Sequence, residues 1–237
     1  MKKSKFLILC LILMNCIFLF KLNYIKATSD SSPPKNIYLT FDDGPTYIIT
    51  NKLLNILSEK GVKATFFIVG KEIEGKEDIL KRIYAEGHSI GLHTYSHNFK
   101  QIYKSDEIFI EEMLKTQAKI KEITGFTSNL IRFPGGSSKR LNLRLLDKLH
   151  EHNLKIYDWN VNLCDGVNPN LTTNQLFVNG TKHNTKYSRL IILMHCNFNN
   201  INTVNALPKI IDHYKNLGYE FKVIDENTKE YYYRLKK

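Results

Sequence analysis

Two hydrophobic periods take turns along this chain. Short apolar or alternating runs, the mark of strands, are separated by stretches whose apolar residues recur every three or four positions, the mark of amphipathic helices. Strands are expected over 36–41, 62–70, 88–93, 130–133, 154–161, 190–195 and 221–224. Helices are expected over 48–60, 78–86, 104–124, 141–150, 171–181 and 204–216, several of them closed by glycine, as at Gly61, Gly87 and Gly125. The run Leu190 to Met194 is so apolar that both its faces must be buried. Strands alternating with helices predict an α/β fold with a largely parallel sheet. In a closed parallel barrel the strand ends share one rim, and polar residues recur at those ends: Asp42 and Asp43, His93, Arg132, Asp165 and His195.

The N-terminus breaks this pattern. Three lysines within 1–5 precede an apolar run over 6–20, interrupted only by Asn15 and ended by Lys21. This is the layout of a secretory leader, and the run is shorter than the ~20 residues of a membrane span. Residues 1–27 are therefore expected to be a signal peptide or an N-terminal membrane anchor, and 28–35, with Pro33 and Pro34, a linker. A catalytic domain is expected over 36–237. A net charge of +11 allows a nucleic-acid partner. The lysines are scattered, however, with no nucleic-acid-binding motif, so an anionic cell-wall surface is the expected partner. The domain is expected to be an extracellular monomer, secreted or membrane-anchored on a Gram-positive-type envelope.

Four stretches carry candidate chemistry. Thr40-Phe41-Asp42-Asp43-Gly44-Pro45 puts two carboxylates at a strand end before a tight turn. His93-Thr94-Tyr95-Ser96-His97 spaces two imidazoles four apart, on one face if the segment is a helical turn. Two histidines and a carboxylate form a common catalytic zinc set. Arg132-Phe133-Pro134-Gly135-Gly136 offers a guanidinium for a carboxylate and a backbone open to close approach by an oxyanion. Leu193-Met194-His195 ends the most buried strand with a residue suited to acid–base work. Each stretch alone also fits a plain role: a turn, polar residues at a helix start, a structural arginine, a rim histidine.

In this order the four stretches resemble the polysaccharide deacetylase family, the NodB-homology group of carbohydrate esterases. The flanking Gly61-Val62-Lys63-Ala64-Thr65-Phe66-Phe67 and Leu217-Gly218-Tyr219-Glu220-Phe221 are also similar to it. The resemblance covers about 36–224 and implies a distorted (β/α)7 barrel. It implies that Asp43, His93 and His97 bind a divalent metal, zinc above all, with cobalt, nickel or manganese as substitutes. Asp42 would be the general base, oriented by Arg132, and His195 the acid that protonates the departing amine. The Gly135 N–H beside Pro134 would bind the oxyanion, and Leu193 would wall the acetyl pocket. The implied substrate is an N-acetylated polysaccharide, peptidoglycan or a chitin-like oligomer. An O-acetyl esterase on xylan and a non-catalytic carbohydrate-binding wall protein are the alternatives.

The family's Asp-Trp loop corresponds here to Asn162-Leu163-Cys164-Asp165-Gly166. Asp165 takes the place of the carboxylate expected to pair with Arg132. Asn162 and Gly166 replace an Asp and the groove-lining Trp, and Gly135 stands where the family often has Tyr. Trp159 is assigned to core packing, and His88, His150, His152, His183 and His213 to structural roles. Cys164 and Cys196 each flank a candidate residue and could form either a bridge or two separate thiols.

Overall fold

The structure is a computed structural model that describes residues 34–182 and 187–235. The chain divides into two units, Met1–Pro34 and Lys35–Lys237, and the description below concerns the second. The leader and most of the expected linker lie outside the described residues, as does His183.

Strand β1 (Asn36–Gly44) lies at the centre of the sheet. The other strands are β2 (Thr65–Ile68), β3 (Ser89–Leu92), β4 (Leu130–Ile131), β5 (Lys155–Ile156), β6 (Val161–Asn162), β7 (Arg189–His195) and β8 (Glu220–Lys222). Their order is β5-β4-β3-β2-β1-β7-β6, with β8 beside the first residues of β1, and every pairing is parallel. Helices α1 (Tyr47–Glu59), α2 (Glu77–Ala85), α3 (Phe99–Ile102), α4 (Asp106–Thr124), α5 (Leu143–Glu151), α6 (Thr173–Thr181) and α7 (Ile201–Asn216) fill the crossovers. This is the expected α/β architecture, a curled parallel sheet of the distorted (β/α)7 barrel type.

Local chemistry sets the helix ends. The Ser105 side chain accepts from the Ile108 N–H at the start of α4, and Gly125, at φ 73°, closes it. Thr172 and Gln175 form a reciprocal capping box on α6.

Strand alternation sorts the core into two shells. Ile37, Leu39 and Phe41 of β1, with Leu190, Ile192 and Met194 of β7, join the large cluster that also holds the buried helix residues. Tyr38, Phe67, Leu130, Tyr157 and Ile191 form a separate small core. Continuing the second set by twos leads to Thr40 and Asp42 on β1 and to Leu193 and His195 on β7. The same face therefore passes from apolar to acid–base residues toward the strands' C-terminal ends.

Several expected strands differ: β1 runs on to Gly44, and the 130–133 run is strand only over Leu130–Ile131. The 62–70 run is a strand only over Thr65–Ile68, because Gly70 begins a 3₁₀ turn, Gly70–Ile73. The 154–161 run splits into β5 and β6, which lie at opposite ends of the sheet order. The intervening Tyr157 to Asn160 crosses from one edge to the other. Tyr157 pairs in parallel with Tyr231, and the Asn160 side chain bonds both Arg189 O and Ile191 N. One residue type satisfying a strand edge on both sides explains why the segment need not be strand itself.

Candidate active site

Adjacent residues of a regular strand point to opposite faces, so Asp42 and Asp43 could not both face one site. A bulge solves this. The β1–β2 register shifts between Asp42 and Gly44, and Asp43 sits at φ 73°, the left-handed region that Asp tolerates better than most residues. The strand thus runs through the two carboxylates rather than stopping at Phe41.

His93 and His97 also converge, but not on a helical turn as expected. The segment between them is a loop with Thr94 at φ 62° and His97 at φ 50°. Glu112 of α4 holds it, its Oε2 accepting from the N–H groups of Tyr95 at 2.9 Å and Ser96 at 2.6 Å. No motif pointed to Glu112. Its one cue is an acid on the inner flank of an amphipathic helix.

Ligand atoms of Asp43, His93 and His97 all lie within 4.8 Å of one another. His93 Nδ1 is 2.8 Å from the Arg132 carbonyl, which can only accept, so Nδ1 carries the proton. In the neutral ring Nε2 then points a lone pair at Asp43 Oδ1, 3.4 Å away, and Asp42 Oδ2, 3.6 Å away. His97 Nε2 faces the same Asp43 oxygen at 3.2 Å. That oxygen is buried with no hydrogen-bond donor of its own, while Asn197 donates to its partner Oδ2. Such a set of facing acceptors repels unless a cation is shared among them, and the donor types suit a divalent metal. Burial alone would raise the Asp43 pKa. With the rings protonated instead, a His93 hydrogen bond and the charges of His93, His195 and His97 would outweigh it and hold the carboxyl well below the usual range. Burial, then the charge on His93, lowers His97.

Arg132 is wholly buried and spends every face of its guanidinium. It donates to Asp42 Oδ1 at 2.9 Å, Thr40 Oγ1 at 2.6 Å, the Tyr157 carbonyl at 2.7 Å and the Asp158 carbonyl at 3.3 Å. It also lies 4.1 Å over the Phe67 ring. The expected pairing with Asp42 is present; the expected pairing with Asp165 is not. Asp165 sits instead on His195: Oδ1 is 2.8 Å from Nδ1, and Oδ2 accepts from the His195 N–H and from Thr203. The reason is strand order. β6 lies against β7 with Asn162 beside Leu193, so the loop after β6 reaches His195, while Arg132 follows β4 on the far side of the sheet. Burial opposes charging His195, but the Asp165 hydrogen bond and charge, with help from Asp42 and Asp43, raise its pKa to about 9. An imidazolium with Nδ1 bonded to a carboxylate is poised to donate from Nε2.

Gly135 is exposed at φ 72°, and its N–H finds no partner among the described residues, which leaves it open to a ligand oxygen. Pro134, beside it, is not among the residues that line the cleft. It is buried, and its carbonyl accepts from Tyr103 Oη. Leu193 does line it. The cleft, of about 340 Å³, is walled by Asp42, Asp43, His93, His97, Leu193 and His195, and also by Phe99, Trp159 and Gly166. Trp159 packs against the small core, as expected, and also faces the cleft.

Sequence reasoning also missed Asp158, which is buried and joins three segments. It accepts from the Ser137 N–H at 3.1 Å, from Ser137 Oγ and from the Tyr233 N–H at 3.1 Å. Both cysteines are free: Cys164 is exposed, and Cys196 is buried with its thiol on the Asp42 carbonyl at 3.1 Å. His88 is structural as expected, taking the Ala64 N–H on Nδ1, and burial lowers its pKa to about 4.

A parallel α/β barrel whose mouth gathers a buried acid, a charged imidazole and an open N–H has the parts of a hydrolase. The chain belongs to the polysaccharide deacetylase family: the family model described as polysaccharide deacetylase matches residues 29–156. A peptidoglycan-N-acetylglucosamine deacetylase of Bacillus cereus is 37% identical over 200 residues, covering 82% of this chain and 71% of that one. The crystal structure of the polysaccharide deacetylase Bc1974 from Bacillus cereus superposes with a TM-score of 0.76 at 35% identity, over 82% of this chain and 94% of that one. The catalytic domain of a peptidoglycan N-acetylglucosamine deacetylase from Eubacterium rectale gives a TM-score of 0.78 at 29% identity, over 87% and 96%. The family match ends at Ile156, before Asp165 and His195, and the structural likenesses reach well beyond its length.

Proposed function

We propose that this deacetylase is metal-dependent and removes N-acetyl groups from the N-acetylglucosamine of peptidoglycan. The observation that carries the reading is the convergence of Asp43, His93 and His97 beside a clamped Asp42 and a charged His195. Asp43, His93 and His97 would hold the ion, zinc above all. When bound there it supplies Lewis-acid activation of water and of the acetyl carbonyl.

The chain's own residues do the rest. Asp42, held by Arg132, takes a proton from the attacking water. The Gly135 N–H bonds the oxygen on which negative charge develops. His195, held by Asp165, gives its Nε2 proton to the amine as the C–N bond breaks. Acetate and a free amine are the products. The Leu193 side chain meets the acetyl methyl.

The similar proteins named for peptidoglycan support the polymer, as does the basic charge, which suits an acidic wall. The basic and apolar leader supports export to that wall. The test is acetate release by the full-length protein from peptidoglycan, N-acetylglucosamine oligomers and acetylated xylan, each with zinc and with chelator. Chelator-sensitive release from the N-acetylated substrates supports the reading. Release from xylan alone overturns the substrate, and release indifferent to chelator overturns the metal. Cell fractionation with N-terminal sequencing checks the export: a cytoplasmic, uncleaved protein overturns it.

A further inference from the structure

Two aromatic rings line the cleft without a part in the steps above. They are Phe99, 44% exposed, and Trp159, the only tryptophan of the chain. They flank the Gly135–Gly136 turn. A Cβ on Gly135 would lie 3.2 Å from the Phe99 ring, and one on Gly136 would lie 3.0 Å from the Trp159 ring. The turn that carries the open Gly135 N–H is thus bordered by Phe99 at Gly135 and by Trp159 at Gly136.

Gly166, in the loop after β6, supplies no such face near His195. A Cβ on Gly166 would lie 2.3 Å from His195 Cε1, so no side chain fits there while His195 holds its place. Trp159, by contrast, is fixed. Its ring meets Tyr233 edge-on, with centroids 5.7 Å apart and an interplanar angle of 84°. Tyr233 Oη donates to the Trp159 carbonyl at 2.9 Å, and the buried Asp158 anchors the Tyr233 N–H. Phe99 is held edge-on to His97 at 5.3 Å, with the Arg140 guanidinium 5.2 Å over its ring.

A pyranose ring presents a face of C–H groups that packs on aromatic rings, while its hydroxyl and amide groups need polar partners at the rim. We propose that Trp159 and Phe99, on either side of Gly135–Gly136, are the sugar-binding walls of this enzyme and set its preference for a pyranose carrying the acetyl group. The inference rests on the deacetylase reading above for its ligand class.

Because Trp159 is the sole tryptophan, its emission reports the wall directly. The full-length zinc-loaded protein is mixed with N-acetylglucosamine tetramer, and emission is read within seconds, before turnover, while acetate is measured in parallel. A saturable emission change is expected, with its midpoint near KM. Trp159→Ala should raise KM about fivefold or more with kcat within about threefold, and Trp159→Phe should recover most of the loss. Phe99→Ala should act in the same direction.

Emission that stays constant across tetramer concentrations that saturate turnover overturns the wall and leaves the deacetylase standing. So does a Trp159→Phe enzyme with lowered kcat and unchanged KM. Emission that responds to tetramer with no acetate released keeps the wall and overturns the activity. Silence in both overturns both. Wild-type emission decides even where Trp159→Ala does not fold.

Discussion

The two sides of the cleft are assembled by opposite means. On the Asp43 side, a bulged strand and a loop with two left-handed residues press three ligand atoms together, and Asp43 Oδ1 is left without a donor. On the His195 side, a regular strand end presents an imidazole whose Nδ1 is already bonded to Asp165, and Asp165 is itself bonded to Thr203. On the proposed reading a cation finishes the first side, whereas the second is complete within the protein. Strain and an orphaned acceptor mark a place built for something the chain does not contain, whereas a satisfied pair marks a proton donor held ready.

The sharpest break of that contrast is Asp43→Ala, which should abolish chelator-sensitive acetate release and also the rise in Tm on adding zinc. A site finished by metal gains about 2.7 kcal/mol at a hundredfold excess over Kd. An unchanged zinc-dependent Tm in the variant would take Asp43 out of the ligand set. His195→Ala should lower kcat on N-acetylated glycan by about 10²–10⁴, with a much smaller loss on an aryl acetate whose leaving group needs no proton. Equal losses on both substrates would deny His195 the role of acid.

Glu112→Ala reaches the metal side from behind, by freeing the Tyr95 and Ser96 N–H groups. Zinc affinity should fall about 10–100-fold, and kcat at saturating zinc should stay within a few-fold of wild type. Calorimetric titration with zinc measures the first, and an unaltered affinity would show that the loop holds itself. The smallest effect is a shift in pH profile. As the proposed acid, His195 would have to be protonated, and its pKa is raised to about 9, so the rate should hold at neutral pH and fall as pH rises through about 9. Asp165→Asn removes the main raising charge, so this alkaline limb should move down toward the ordinary imidazole value of ~6.5. A limb that stays in place would assign it to another group.

The same contrast explains what could be read from the chain alone. Asp42, Asp43, His93 and His195 were legible because each stands at the C-terminal end of a strand with a strong hydrophobic signature, and His97 because of its spacing from His93. The partner of Asp165 was not legible, since sequence order does not state that β6 lies beside β7 rather than beside β4. Trp159 was hidden by the apparent continuity of 154–161, whose apolar residues serve two distant edges. Glu112 and Asp158 act by accepting from backbone N–H groups, and for Asp158 also from the Ser137 hydroxyl, that tertiary structure brings to them, and such acceptors leave no pattern in spacing. The bulge at Asp43 was invisible for a similar reason: two adjacent aspartates do not say which one leaves the alternation.

The crossing from β5 to β6 has a consequence for the width of the mouth. Elsewhere around the sheet, neighbouring strands are held by hydrogen bonds that can stretch and re-form. Between these two edges the span is a covalent tether, Tyr157 to Asn160, pinned at Asn160 and stitched by Tyr231. Its reach is a count of residues, at most ~3.3–3.6 Å for each one. The aperture through which a glycan enters is thus metered by chain length rather than by side-chain packing. One residue inserted into that tether would loosen the gauge of the opening and, through the Tyr157 and Asp158 carbonyls that Arg132 holds, would reach the clamp on Asp42 as well.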